Sequence, residues 1–430
     1  MHNVQNALED FGVTRLETKL NNGVRVVLFQ RPAAPISTYA ILNSGSQFDP
    51  ETMPGAAHFI EHMITNGSGQ FPTKDLLAEH IESVGGGYGA FTNKDLLVVW
   101  SEVSEKSDYS RVADVFRSTL CESLFDKSVF ENEKHVVVKE IHRSDSRPDD
   151  VHYDSIVGFF TRGTTYEHAV LGDERTILNL EYDSVLSHYK KLFEPARLTF
   201  VAAGDISLDE LVSHLDTLPL SASTPFRKDQ KYKLDIPKDI IDTTFFDSPE
   251  TQIYLGVKAP EQFSLEAAQM NILGSILAGG RSSRLTKRLR YQHGLVYGVS
   301  ASRFGGQSLG TWGVDTATSE NKVQHVIDEI VLEIKAIQAD GITENELQFI
   351  KDRRVKSLKR HMQTSDEWVN FHGRPYVLSP RHYDVSTYIQ DVQDTTIQDI
   401  QRLIETYLQP ENWRLVLCGR TKPEDVTLTI

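Results

Sequence analysis

The stretch VLSHYKKLFEPARLTFVAAGD, Val185–Asp205, decides the fold. It reads as an apolar-faced helix, a stop at Glu194-Pro195, an apolar strand over 198–203 and a glycine turn at Gly204. The same succession returns 215 positions later, without a gap. Val185 falls on Ile400, Tyr189 on Ile404, Phe193 on Leu408, Pro195 on Pro410 and Gly204 on Gly419. One offset kept through helix, proline, strand and turn argues for an internal duplication. The apolar run 252–259 likewise resembles 36–43.

Working outward, β-branched runs at 23–29 and 36–42 predict strands, and the latter precedes the turn-like Asn43-Ser44-Gly45-Ser46. Helical periodicity follows at 54–66, 73–84, 107–124, 128–143 and 181–193. Ser128, three residues before Glu131, predicts a capping box at the start of the fourth. Strands mixed with long helices in this order predict an α+β fold, each domain a mixed or antiparallel sheet with helices on one face. Pro219, Pro225 and Pro237, with Arg227, Lys228, Lys231 and Lys233 between them, mark a polar linker over 219–237. The chain then divides into two similar domains, 1–218 and 238–430.

The 430 residues exceed one ordinary core. With 39% hydrophobic and 24% charged residues, the composition excludes disorder and collagen. A net charge of −15 argues against nucleic acid or an anionic membrane as partner. Cys121 and Cys418 lack the spacing of a thiolate zinc cluster and fit a reducing compartment or indifference to redox. The start, Met1-His2-Asn3-Val4, has no basic or apolar signal region, and no apolar run is long enough to span a bilayer. The expectation is a cytoplasmic protein.

Chemistry concentrates in His58-Phe59-Ile60-Glu61-His62. On a helix, positions four apart share a face, so both imidazoles can reach one ion. Glu61, three residues after His58, lies close to that side and can approach a water at the metal. A third ligand is available from the helix at 128–143, where Glu133 and Glu140 stand two turns apart on one face. His135 and His142 lie off that face and read as surface residues.

These residues carry a family resemblance. His-x-x-Glu-His resembles the motif of the pitrilysin-type inverzincin zinc metallopeptidases. So does Glu133-Lys134-His135-Val136-Val137-Val138-Lys139-Glu140 downstream of it. Further matches are Gly163–Gly172, Ala202-Ala203-Gly204-Asp205, and Ser283–Arg290 running on to Gly294-Leu295-Val296-Tyr297. The resemblance implies one zinc per chain on His58, His62 and Glu140, a supporting Glu133 and Glu61 as general base. It also implies that Arg290 and Tyr297 hold the substrate backbone. A guanidinium and a phenol can both donate to a peptide carbonyl and its developing oxyanion. The substrate-edge strand departs from the family pattern, with Gly89 at the usual Asn and Asp95 at the usual Glu. Pairing through backbone groups tolerates such changes.

The expected function is a zinc endopeptidase for peptides or unfolded segments. The family's working chamber has four such domains, so a two-domain chain predicts a homodimer with equivalent sites. The competing reading is a non-catalytic structural or peptide-binding subunit of the same fold. Members of that kind lose part of the zinc set, which this sequence retains.

Overall fold

The computed structural model describes residue 8 and residues 10–222, 235–379 and 381–430. Residues 223–234, most of the expected linker, lie outside the described residues. The chain forms two compact units, each drawn from three segments. The first comprises Met1–Ile141, Ala169–Gln230 and Leu358–Thr387; the second comprises His142–His168, Lys231–Ser357 and Tyr388–Ile430.

The first unit is built on a six-stranded sheet in the order β1-β2-β6-β3-β5-β4. Its strands are β1 (Thr14–Lys19), β2 (Arg25–Gln30), β3 (Ile36–Leu42), β4 (Gly87–Thr92), β5 (Leu97–Val103) and β6 (Leu198–Gly204). Neighbours are antiparallel except the β2/β6 pair. Every residue of β3 and β6 is buried, which requires cover on both faces. One cover is the helix Ser365–Leu378, far away in sequence, which packs on β3 and β6. Gly373 permits that approach: a Cβ there would sit 2.6 Å from Ile41 Cδ1. His372 stacks on Phe29 at 4.1 Å between ring centroids, and Tyr39 donates to Asp366 Oδ1 at 2.6 Å.

The second unit has five strands in the order β7-β11-β8-β10-β9. They are β7 (Ile241–Phe245), β8 (Glu250–Lys258), β9 (Val299–Gly305), β10 (Gly310–Ser319) and β11 (Arg414–Gly419). Here too a single parallel pair, β7/β11, sits among antiparallel neighbours. The helix Pro148–Phe160 packs on β8 and β11 of this sheet.

The 215-residue offset survives in three dimensions. It carries the helix Tyr182–Leu192 onto Ile397–Tyr407, β6 onto β11, and β3 into β8. The two sheets therefore have the same order from β2 and β7 outward, and the α+β duplication is the architecture. A contiguous split at the linker does not express the crossing of Pro148–Phe160 into the second unit or of Ser365–Leu378 into the first.

Local differences have local causes. The helix expected at 128–143 spans Lys127–Asp145, so Ser128 lies inside its first turn rather than ahead of it. Asp126 accepts from the Ser128 amide at 2.8 Å and from its hydroxyl at 2.7 Å, while Glu131 pairs with Lys134 at 3.0 Å. The stretch expected as one helix over 107–124 ends in a π-helical turn at Arg117–Cys121. No helix among the described residues is long and apolar enough to cross a membrane.

Candidate metal centre

The helix Ala56–Ile64 carries His58, Glu61 and His62. It starts at Gly55, whose φ of 90° favours glycine, and a Cβ there would lie 2.6 Å from the Leu171 carbonyl oxygen. Its first amides are satisfied by a distant carboxylate. Asp49 accepts from Gly55 N at 3.1 Å, from Ala57 N at 2.9 Å and from His188 Nε2 at 3.1 Å. Phe59, fully buried, meets Phe130 edge-on at 5.0 Å and so fixes this helix against Lys127–Asp145. Such a pair contributes about 1 kcal/mol beyond area burial.

Lys127–Asp145 supplies the carboxylates. Glu140 Oε2 lies 3.3 Å from His62 Nε2 and 3.6 Å from His58 Nε2. One ligand atom from each of His58, His62 and Glu140 falls within 4.8 Å of the others, the single such group of three among the described residues. Tetrahedral zinc with bonds near 2.05 Å holds its ligands about 3.3 Å apart, so the donor set and its spacing fit that ion. Glu133 Oε2 stands 3.3 Å from His62 Nδ1, leaving Nε2 to face Glu140. A carboxylate behind a metal-binding histidine fixes the ring and its tautomer. Glu133 is buried and shares its side of the helix with buried Val137, whereas Val136 is exposed.

The two histidines differ in their electrostatics. Burial, and then His62, hold the His58 imidazole at a pKa of about 3, so it is neutral. Burial would also lower His62, but Glu133, Glu140 and Glu61 outweigh it and raise the group. Glu133 is lowered, chiefly by its hydrogen bond with His62. Glu61 is raised by burial, against the hydrogen bond it accepts from Thr92 Oγ1 at 2.7 Å.

Thr92 ends β4, the outermost strand of its sheet, so the edge that can pair with an extended chain begins beside Glu61. The two departures noted at this edge, one in β4 and one just beyond it, have structural causes. Gly89 lies opposite Trp100, and a Cβ there would meet the indole Nε1 at 2.8 Å. Asp95 is buried in the β4–β5 turn and accepts from Gln47 Nε2 at 2.8 Å, away from any open surface.

Arg290 and Tyr297 lie together in the second unit. Arg290 belongs to the π-helical segment Thr286–Gln292, and its guanidinium sits 4.9 Å from the Tyr297 ring centroid. Its basic neighbours are engaged, Arg284 with Glu346 and Glu333 and Arg288 with Glu329. Tyr297 is 87% exposed. The duplication offset places Leu273, Ile276 and Leu277 where the first half has His58, Glu61 and His62. All three are buried in the helix Leu265–Ala278, which therefore keeps the frame without ligands.

Sequence reading did not single out Asp49, His188 or Asn66, which donates to the His62 carbonyl at 3.0 Å. Their partners lie across the fold or are backbone groups, and no spacing rule announces them.

A family model described as "Insulinase (Peptidase family M16)" matches residues 25–174, and one described as "Peptidase M16 inactive domain" matches 179–354. The chain belongs to peptidase family M16. This M16 chain is 24% identical over 398 residues to YmxG, an uncharacterized zinc protease of Bacillus subtilis, covering 92% of this chain and 96% of that relative. Its fold is that of a Helicobacter pylori protease, with a TM-score of 0.85 at 18% identity over 95% of this chain and 99% of the other. It also matches the periplasmic protease PqqL of Escherichia coli, with a TM-score of 0.78 at 16% identity, over 96% of this chain and 48% of PqqL. Family membership and zinc-protease relatives support a peptidase.

Proposed function

We propose that this M16 chain is a zinc-dependent endopeptidase acting on peptides or unfolded segments. The observation that carries the reading is the convergence of His58 Nε2, His62 Nε2 and a Glu140 oxygen, with Glu61 on the same helix left outside the trio. When bound there, zinc supplies Lewis acidity to the scissile carbonyl and to the attacking water. Glu61 takes the proton of that water at its carboxylate and hands it to the leaving amine. Thr92 orients Glu61, and Glu133 holds His62. The substrate adds as a strand along β4 through main-chain hydrogen bonds. Arg290 and Tyr297 donate to its backbone.

The working form is a homodimer in which the partner's second unit completes each site. The length of PqqL, about twice the matched span, supports a working unit with two such halves. Free Cys121 and Cys418 support a cytoplasmic setting.

Metal analysis with cleavage of a quenched peptide library tests the reading. The wild type binds one zinc per chain and cleaves; Glu61→Gln binds zinc and does not cleave; Glu140→Gln loses zinc. An active Glu61→Gln protein refutes the role of Glu61. For the dimer, Glu61→Gln and Tyr297→Phe chains are mixed under conditions of proven subunit exchange. Partial recovery of activity is expected, and its absence refutes completion of the site by a partner.

A further inference from the structure

The two histidines of the proposed zinc site are held very differently. His62 has Glu133 behind its Nδ1. His58 is buried, and its Nδ1 meets no hydrogen-bond partner among the described residues. No carboxylate of the kind that orients His62 stands behind this ring, which leaves its packing, the His62 ring at 4.8 Å included, and the backbone that carries it to set its direction.

That backbone is pinned at one place. His58 stands in the first turn of its helix, where the amides have no partner within the helix. Gly55, at the N-cap, has no side chain to offer. Asp49 fills that role from six residues upstream of Gly55, bridging the amides of Gly55 and Ala57 with its two oxygens. Its carboxylate is buried and is itself braced by His188 Nε2 from the helix Tyr182–Leu192. Ala57 is the residue immediately before His58. A bidentate anchor on the amides on either side of Ala56 fixes the azimuth of that first turn, and with it the direction of the His58 Cα–Cβ bond.

We propose that Asp49, braced by His188, is the positioning residue for His58, doing through the helix start what Glu133 does for His62 through a direct hydrogen bond. The proposal rests on the reading of His58 as a zinc ligand. Removing the anchor leaves the ligands present but lets the first turn rotate, so the loss appears in metal affinity and not only in stability. Outer partners of metal ligands typically change affinity by about 10–100-fold when removed.

The test is zinc affinity, measured on the purified full chain by competition with a chelator, alongside thermal melts. The variants are Asp49→Ala, Asp49→Asn, His188→Leu and His188→Gln. The control is Ser207→Ala, which removes a helix cap in the same unit, where Ser207 Oγ accepts from Glu210 N at 3.2 Å. Asp49→Ala and His188→Leu are expected to weaken zinc binding about 10–100-fold, whereas Ser207→Ala lowers the melting temperature without changing it. His188→Gln keeps a donor near the Nε2 position and stays close to wild type. If Asp49→Ala does not fold, Asp49→Asn and His188→Leu carry the same comparison. Zinc binding unchanged in the Asp49 variants, or weakened no more than by Ser207→Ala, overturns the proposal while leaving the zinc site standing. Equal affinity in wild type and Glu140→Gln overturns the zinc site itself, and the proposal with it.

Discussion

Thr92 Oγ1 donates to Glu61 Oε2 across 2.7 Å, tying the last residue of an edge strand to the carboxylate next to His62. One contact thus connects the strand proposed to take substrate with the group proposed to move the proton. Thr92→Val keeps the shape and removes the donor. A hydrogen bond to a charged group is worth about 1.5–3 kcal/mol, so turnover should fall roughly 10- to 100-fold with zinc content unchanged. Steady-state kinetics beside metal analysis checks this, and unchanged kcat would show that Glu61 is oriented by other contacts.

Glu133→Gln tests the hold on His62. The amide cannot act as an anionic acceptor for the Nδ1 proton, so zinc affinity should drop about 10–100-fold although all three ligands remain. Chelator competition reads the change; equal affinity would mean that packing alone sets the His62 ring.

Gly89→Asn restores the residue usual in the family and should harm this protein. The new Cβ would stand 2.8 Å from the Trp100 indole, and overpacking of this kind costs about 1–3 kcal/mol. Pairing the change with Trp100→Leu should recover most of the loss in denaturant unfolding. A double variant no better than Gly89→Asn alone would assign the cost to the backbone.

His372 predicts an acid-side loss of stability. It is fully buried, with Nδ1 donating to the Trp368 carbonyl at 2.8 Å and Nε2 accepting from the Val385 amide at 3.2 Å, which suits only the neutral ring. Burial, against the Trp368 carbonyl and Asp384, brings its pKa from 6.5 down to about 4. Between those values the unfolded chain binds more protons than the folded one, so stability rises with pH through that window. The contribution, on the order of 3 kcal/mol, is complete above pH 6.5 and lost progressively toward pH 4. His372→Asn should flatten the slope of unfolding free energy over this range, and a slope identical to wild type would assign the acid sensitivity to other groups.

Those features governed by spacing along one helix were legible in the sequence. Residues four apart must share a helix face, so His58 and His62 could be placed together before any coordinates. Glu140 came into reach because it lies two turns from Glu133 on an equally regular helix. The duplication was legible because a proline stop and a glycine turn keep their positions when side chains drift. What stayed hidden depends on partners across the fold. The Asp49–His188 pair spans 139 positions, and a carboxylate upstream of a helix does not declare which amides it reaches. The crossing of Pro148–Phe160 and Ser365–Leu378 between units was equally invisible, since an apolar stripe states that a helix is covered but not by which sheet. The helix start fell one residue before the expected Ser128, and Asp126 accepts from the Ser128 hydroxyl and amide.

The helix Ser365–Leu378 has a consequence for the order in which the protein is made. The last strand of the first sheet, β6, is complete at residue 204, yet the helix that packs on β3 and β6 follows more than 150 residues later. At about 5–20 residues per second, the ribosome leaves that apolar surface without its helix for on the order of ten seconds or more. The nascent first half therefore emerges with this face of its sheet still lacking the helix that packs on it. A stop codon placed before residue 365 would yield chains that retain this open face and aggregate, even though every proposed zinc ligand is present in them.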